Sequence, residues 1–282
     1  MSFYSFVGAP RRTPRFVFAI HLGLSALAVV AAAGSALAAD MPMPNMPMKA
    51  APAPVYNWTG CYVGLNGGGG AIGNNFHTTV DPSASYLGGA DAAEVSGDGT
   101  GSHNNSNFLG GGQVGCNYQM GTFVAGIEAD FDYFHGTSSF FNDTNSLPTL
   151  GFPFVIGQQA TANYLATVRP RFGIAADRNF AYLTGGVAFT REDYTETYID
   201  GNAPPSAGTA TASKSLTGWV VGGGWEYALT DHWLVRAEYL WAAFPTVNAT
   251  GTIVAPGTGS NVLHGSSDLV VQAIRAAVNF KF

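Results

Sequence analysis

The sequence contains few charged residues and few cysteines for its 282 residues. Charged residues make up 11% of the chain, against roughly 25% in an average soluble domain. Two cysteines are too few for a disulfide scaffold. The formal net charge of -6 lacks the basic excess of a nucleic-acid-binding protein. We therefore expect neither a disulfide-rich domain nor a nucleic-acid partner.

Glycine and apolar residues are abundant instead. The 37 glycines argue against long helices, because a glycine inside a helix costs about 1 kcal/mol. Hydrophobic residues make up 46% of the chain, which is too many for a disordered protein. A large β-rich structure with little charge remains.

The first 38 residues have the pattern of a secretory signal peptide. Arg11, Arg12 and Arg15 precede an apolar run at 16–33, and the small residues of Ala36-Leu37-Ala38 fit a cleavage site. An N-terminal membrane anchor is the alternative interpretation. After residue 38, no apolar run approaches the roughly 18 residues that a spanning helix needs. Any later membrane crossing would therefore use strands.

Residues 39–57 are predicted to form a periplasmic linker. Five prolines favour an extended chain. Four of the six methionines also lie here, at Met41, Met43, Met46 and Met48. Thioethers suit Cu(I), so copper binding is the alternative to a plain spacer.

From residue 58 onward, strand-like segments alternate with short and long connections. The predicted strands are 60–69, 108–119, 123–133, 163–176, 180–194, 216–229, 233–244 and 269–282. Turn-forming residues fill the short joints. The long connections, 70–107, 134–162, 195–215 and 245–268, are rich in Gly, Ser, Asn and Thr. This alternation is typical of an up-and-down barrel with short periplasmic turns and long extracellular loops.

Charged residues on these strands share one face. Residues of equal parity in a strand point the same way. Glu128, Asp130 and Asp132 therefore lie on one face of their strand, and Phe131 and Tyr133 lie on the other. The complete charged face comprises Glu128, Asp130, Asp132, Arg169, Arg171, Glu226, Arg236, Glu238, Arg275 and Lys281.

These five acids and five bases predict a neutral charge network inside a closed barrel. The interior of an eight-stranded barrel is only wide enough for side chains to fill it. Breaking one buried ion pair costs about 3–5 kcal/mol, so interior charges must balance. The uncharged outer face suits hydrocarbon. A calcium or acid–base site at the three carboxylates of 123–133 is the alternative. A soluble lipocalin-like carrier is disfavoured, because its outer face would be polar.

Aromatic residues on the outer face have the spacing of two membrane girdles. Trp233 and Trp241 lie eight residues apart, as do Trp219 and Tyr227. Eight tilted strand residues rise roughly 20 Å, close to an apolar band about 25 Å tall. The predicted lipid-interface aromatics are Trp219, Trp225, Tyr227, Trp233, Tyr239, Trp241, Phe280 and Phe282. We predict an all-β fold over 58–282, an eight-stranded antiparallel transmembrane β-barrel.

Several motifs resemble the small porin-family outer-membrane proteins of Gram-negative bacteria. They are WTGCYVGLN from residue 58, GGQVG from 111, GIEAD from 126, YLTGGVA from 182, WEYAL from 225 and the terminal Phe282. The resemblance covers about 225 residues. It implies an OmpA-like eight-stranded barrel in the cell outer membrane, of the surface-antigen and haemin-binding type. It also implies assembly by the barrel-insertion machinery, which would recognise Phe282, and it does not imply a pore.

The chain departs from that family at three residues. Cys61 and Cys116 stand where the family usually has an aromatic residue. Both are expected near the periplasmic ends of adjacent strands, where oxidation is permitted, so they form either a cross-strand disulfide or two lipid-facing thiols. Pro170 removes a ladder donor within its strand, which predicts a β-bulge there.

The expected function is structural: membrane integrity and contact with the exterior, with outer-membrane lipid as the first partner. We expect no catalytic residue, no metal site and no cofactor. One alternative is a narrow diffusion channel. Another is a receptor whose loops bind haemin or a host molecule.

Overall fold

The computed structural model describes residues 56–142 and 145–282. The predicted signal peptide, and the predicted linker through residue 55, lie outside these residues. The described part of the chain contains nine strands and one helix. They are β1 Gly60–Val80, α1 Gly89–Asp98, β2 Gly101–Met120, β3 Phe123–Asn142, β4 Phe154–Ala176, β5 Asn179–Asp200, β6 Ala207–Ala228, β7 Trp233–Ala243, β8 Val247–Ala255 and β9 Gly259–Lys281. No helix among the described residues is long and apolar enough to cross a membrane.

The strands close into an antiparallel ring of eight. Each strand from β1 to β7 pairs with the next, β7 pairs with β9, and β9 pairs with β1. β8 continues the line of β7 between β6 and β9. The interruption between them contains Pro245, which has no N–H to donate to a ladder. The predicted eight-stranded antiparallel barrel is confirmed.

Tight turns join the strands at one end of the barrel. They occupy residues 121–122, 177–178 and 229–232. Gly121 has a φ of 64° and Asp177 a φ of 50°, the left-handed region that Gly adopts freely and Asp tolerates. In outer-membrane barrels such tight turns face the periplasm. The opposite end of this barrel is therefore extracellular.

Most strands are about one and a half to two times as long as the sequence predicts. β5 has 22 residues and β9 has 23, whereas a tilted transmembrane strand needs roughly 9–11. Most of the predicted long loops are therefore strand, including 70–80, 101–107 and 195–200. Their Gly, Ser, Asn and Thr residues resemble loop composition because the outer face of the extension is in water. Their ladder hydrogen bonds nevertheless continue from the membrane part of the barrel.

The apolar face of each long strand reverses along its length. On β5, the outward residues Leu183 and Phe189 are exposed and apolar, but further along the same face Arg191 and Asp193 are charged. In the same extracellular part of β5, Tyr194 faces inward and is buried. The register does not change; the medium outside changes from hydrocarbon to water. The membrane-spanning part of β5 thus ends near Phe189.

Apolar packing and a helix close the extracellular half. Leu87 and Val95, from the connection that contains α1, are fully buried against the strands. Leu147, from the connection between β3 and β4, joins the same core. α1 was not predicted from the sequence. Its mixed Gly, Ala and Asp composition is also typical of a loop.

The residues before β1 close the periplasmic half. Trp58 is 0% exposed and packs on Phe180, with 5.1 Å between ring centroids. Its indole Nε1 donates to the Asp177 carbonyl at 3.0 Å, and its backbone N–H donates to Gln119 Oε1 at 2.8 Å. Tyr56, assigned from sequence to the linker, belongs to the same cluster.

The predicted bulge at Pro170 is wrong. Val168 pairs with Val187 and Arg171 with Thr184, so the register does not shift across the proline. The Pro170 carbonyl instead accepts a hydrogen bond from Thr184 Oγ1 at 2.9 Å. The irregularity lies earlier in β4, between residues 162 and 166.

Candidate functional site: the lumen network

β3 directs three carboxylates into the barrel. Glu128, Asp130 and Asp132 are buried, while the intervening Phe131 is exposed, as alternation along a strand requires. The strand register places Glu128 directly opposite Arg169 on β4. Local pairing therefore brings the first acid and base of the cluster together.

Arg169 lies at the centre of this cluster. Its Nη2 is 2.8 Å from Glu128 Oε1 and 2.7 Å from Asp130 Oδ2. Its Nη1 is 3.1 Å from Glu238 Oε1, on β7. Nε donates to Thr167 Oγ1 at 2.8 Å. Three carboxylates and a hydroxyl offset the cost of burying the guanidinium.

Arg275 extends the cluster toward the extracellular side. Its Nη1 is 3.1 Å from Asp130 Oδ1 and its Nη2 is 2.7 Å from Glu238 Oε2. Asp132 also pairs with Arg275. Arg169 and Arg275 therefore share two carboxylates, and neither cation is buried alone.

Arg171 and Arg236 form the periplasmic side of the cluster around Glu226. Arg171 Nη2 lies 2.7 Å from Glu226 Oε2, and Arg236 pairs with the same carboxylate. Glu128 Oε2 is 2.5 Å from Arg236 Nη2 and 3.1 Å from Arg171 Nη1. We call Glu128, Asp130, Asp132, Arg169, Arg171, Glu226, Arg236, Glu238 and Arg275 the lumen network.

Two tyrosines that were not predicted from the sequence also belong to this region. The Tyr62 hydroxyl donates to Glu128 and accepts from Arg171 Nη1 at 2.7 Å. The Tyr182 hydroxyl donates to Glu238 at 2.8 Å, and the Arg171 guanidinium lies 4.3 Å from the Tyr182 ring centroid. Both have inward parity on their strands. Their parity is therefore enough to place both tyrosines inside the barrel from sequence, although they carry no charge.

Lys281 does not join the lumen network. It lies at the periplasmic rim, where its Nζ donates to the Asn57 carbonyl and sits 4.5 Å from the Tyr56 ring centroid. β9 ends at this residue, so Lys281 is well below the carboxylates. The network thus has five acids and four bases, one negative charge more than the predicted balance.

The predicted interface aromatics lie on the outer surface. Trp219 and Trp241 contact each other toward the extracellular side, with 4.7 Å between centroids. Trp233 and Phe280 contact each other at the periplasmic side, at 5.2 Å. Trp225, Tyr239 and Phe282 are exposed, and Tyr227 is half-buried.

A disulfide joins Cys61 of β1 to Cys116 of β2. The two residues are direct partners across the ladder. The outward exposed neighbours Val63 and Val114 share their parity, so the bond lies on the lipid face.

A second set of buried carboxylates lies above the membrane part, on β5. Glu192 and Glu196 are fully buried, and neither forms an ion pair among the described residues. Asn74 Nδ2 lies 3.3 Å from Glu192 Oε1, and the Tyr194 hydroxyl donates to Glu196 at 3.0 Å. Desolvation raises the pKa of Glu192 to about 7, although a hydrogen bond from Ser267 lowers it in part. Desolvation also raises the pKa of Glu196.

The closed ring, its apolar outer band and its charged interior define an integral outer-membrane β-barrel. A family model for the outer membrane protein beta-barrel domain matches residues 24–282. The chain belongs to that family, and its expected location in the outer membrane is confirmed.

The relatives are outer-membrane antigens. The 31 kDa outer-membrane immunogenic protein of Brucella melitensis biotype 1 is 33% identical over 224 residues, covering 76% of this chain and 84% of that protein. The 25 kDa outer-membrane immunogenic protein of Brucella abortus biovar 1 is 27% identical over 269 residues, covering 92% and 99%. Among solved structures, OprG from Pseudomonas aeruginosa is similar with a TM-score of 0.37 and 14% identity, covering 80% of this chain and 98% of OprG.

Proposed function

We propose that this protein is a closed, non-conducting surface barrel with a structural role. It would hold a rigid strand extension above the outer membrane, where contact with the exterior takes place. The observation that carries this proposal is the lumen network, whose side chains bridge opposite walls at the level of the hydrocarbon.

The two ends of the barrel support the same role. Trp58 is buried in the periplasmic mouth, and Leu87 and Val95 are buried below the extracellular connection. A continuous water path would have to displace apolar packing at both ends, in addition to the paired charges. This arrangement favours a plugged barrel over a narrow diffusion channel.

A non-catalytic role is part of the proposal. The carboxylates of β3 are each committed to an arginine, and a paired carboxylate is a poor general base because deprotonated oxygens already accept strong hydrogen bonds. The same pairing supports an ion-pair network over a calcium site at these residues.

Planar-bilayer recording tests the proposal. The refolded wild-type protein should show no discrete conductance steps. Arg169→Ser combined with Arg275→Ser should introduce small steps, because it removes two guanidiniums from the lumen. Arg178→Ser, at an exposed periplasmic turn, is the matched control and should stay silent. Regular steps from the wild-type protein would instead establish a diffusion channel.

We also propose that the insertion machinery recognises Phe282. Its side chain is 69% exposed, while its backbone N–H donates to the Cys61 carbonyl at 3.0 Å, so the ring is available although the strand end is fixed. Phe282→Ala should lower the fraction of chains assembled in cells without changing refolding into detergent. Equal assembly of the two chains would reject this role.

A further inference from the structure

Outward-facing threonines form a regular array on the extracellular extension of the barrel. They are Thr195 and Thr197 on β5, Thr209 and Thr211 on β6, and Thr252 on β8. Thr195 is the direct cross-strand partner of Thr211. Thr209 pairs with Thr197 on one side and with Thr252 on the other. Side chains of direct partners on one face lie about 5 Å apart, so these five residues form one surface, which we call the threonine array.

An aromatic ring and an apolar row border the threonine array. Phe141 on β3 is 68% exposed, and it pairs with Gly157 of β4, which is also the partner of Thr197. A Cβ atom added at Gly157 would lie 2.7 Å from the Phe141 ring and 3.0 Å from Thr197 Oγ1, so the ring and the hydroxyl are neighbours. One row higher, Ile199 and Val254 are about half exposed and pair with the same residue of β6. Clustered exposed apolar side chains in water mark an interaction surface.

The threonine array and its borders carry no charge. The outward residues of 139–141, 155–159, 195–199, 207–211 and 252–254 include no Asp, Glu, Lys or Arg. The nearest outward charges on β5 lie below the array and pair with each other. An anionic ligand would therefore find no cation on this surface, and the partner that fits it is neutral.

The threonine hydroxyls are available to a ligand. Thr197 Oγ1 donates to the Gly157 carbonyl at 3.3 Å and keeps its own lone pairs. The hydroxyls of the other four threonines form no hydrogen bond within the part of the chain that the structure describes. Each hydroxyl is both a donor and an acceptor. The surface is thus complementary to a ligand that is itself rich in hydroxyl groups.

The size of the surface fits a short run of sugar rings better than a second protein. From β3 to β8 it spans four strand spacings, about 19 Å, and its height of four residues is about 13 Å. A stable protein complex buries about 800 Å² on each partner, roughly three times that area. A sugar chain needs less, and it offers hydroxyl groups together with apolar C–H faces.

The surface faces sideways, above the lipids that surround the barrel. Phe189 is the last apolar outward residue of β5, and Thr195 and Thr197 lie about 15–20 Å above it along the membrane normal. The headgroup region extends only about 5–8 Å beyond the hydrocarbon. Sugars that extend from glycolipids of the outer leaflet therefore pass beside the barrel wall at this level.

We infer that the threonine array binds the neutral sugar chain of an outer-leaflet glycolipid. Phe141 packs on the C–H face of a sugar ring, because its exposed ring is flat and apolar. Thr197 and Thr209 exchange hydrogen bonds with the sugar hydroxyls. This inference goes beyond the proposed structural function and does not depend on a closed lumen.

Calorimetric titration of the full-length protein in detergent micelles tests the site. The probe is the neutral polysaccharide that mild acid releases from the lipopolysaccharide of the bacterium that carries the protein, and polygalacturonate is the anionic comparison. Wild-type protein should prefer the neutral chain. Thr197→Val combined with Thr209→Val keeps the branched side-chain shape but removes two hydroxyls, and it should weaken binding about tenfold. Thr217→Val, at an exposed position lower on β6, is the matched control and should leave binding unchanged.

The aromatic border has its own variant. Phe141→Ala should also weaken binding of the neutral polysaccharide about tenfold, since it removes the ring on which a sugar packs. Gel mobility before and after boiling verifies that every variant is folded. Unchanged binding in the folded double-valine variant would overturn the inference, as would equal binding of polygalacturonate or no binding of the neutral chain by the wild-type protein.

Photo-crosslinking in cells identifies the source of the sugar chain. A photoreactive amino acid in place of Thr211 should capture intact lipopolysaccharide. Capture of a second copy of the protein, or of a polysaccharide without its lipid, would overturn the assignment to a glycolipid. Conductance is measured separately, so an open channel would leave these results untouched.

Discussion

Arg169 on β4 binds Glu238 on β7 across the barrel, with 3.1 Å between Nη1 and Oε1. These strands are not neighbours in the ring, so the contact ties two walls together through the lumen. Glu238 also binds Arg275 at 2.7 Å. A single carboxylate therefore holds two buried guanidiniums.

Glu238→Gln should lower the free energy of unfolding by about 3–5 kcal/mol, because it leaves two buried cations short of a partner. Urea unfolding in detergent micelles measures the change. The control is Asp231→Asn, which breaks an Arg178 pair of similar length, 3.2 Å, whose Asp side chain is 80% exposed. That variant should lose no more than about 1 kcal/mol. Equal losses would show that burial does not govern these pairs.

Removing the disulfide should destabilise the barrel. Cys61 and Cys116 are 55 residues apart in sequence, and a crosslink of that span contributes about 2–4 kcal/mol. Cys61→Ser with Cys116→Ser should show this loss in urea unfolding relative to the oxidised wild-type protein, and reduced wild-type protein should lose about the same amount. Thiol labelling of denatured, unreduced protein should find no reactive cysteine. Two labelled thiols would contradict the bond.

Stability should fall as pH rises through the range set by Glu192. Burial raises its pKa from 4.5 to about 7. The unfolded chain therefore loses this proton first, so the penalty grows from about pH 4.5 and levels off above pH 7. Glu192→Gln should remove the part of this slope that Glu192 causes and stabilise the protein at pH 8 by up to about 3 kcal/mol, while Glu196, whose pKa burial also raises, keeps the remainder. Asp193→Asn, the exposed neighbour, should keep the slope.

Trp58→Ala should cost about 3–5 kcal/mol of unfolding free energy, because it empties the periplasmic cluster. Leu65→Ala is a suitable control, since Leu65 is 74% exposed on the outer face. Urea unfolding curves measure both variants. Similar losses of unfolding free energy would mean that Trp58 does not support the fold.

Parity along the strands was sufficient to predict the fold and most of the site from sequence. In a barrel with one face in lipid, alternate residues of each strand face the lumen and the lipid. Glu128 and Arg275 could therefore be placed inside without coordinates. The same reasoning failed for Lys281, because parity gives the facing of a residue and not its height. Height depends on strand length and on where the partner carboxylates lie.

The strand extension and the two closures could not be predicted in the same way. β6 begins with alternating Thr209 and Thr211, a weak strand signal within Gly- and Ser-rich surroundings. The pairing of that segment depends on β5, which continues beyond the membrane. Trp58 is a single aromatic beside a proline-rich segment, and its burial depends on Phe180, more than a hundred residues away.

The extension above the membrane consists of paired strands in which Thr195 lies opposite Thr211. An antibody that binds there meets alternate side chains from several strands at once. Short linear peptides from this region would reproduce only one strand of that surface. A serum raised against the folded protein should consequently lose most of its binding to this region when the barrel is boiled.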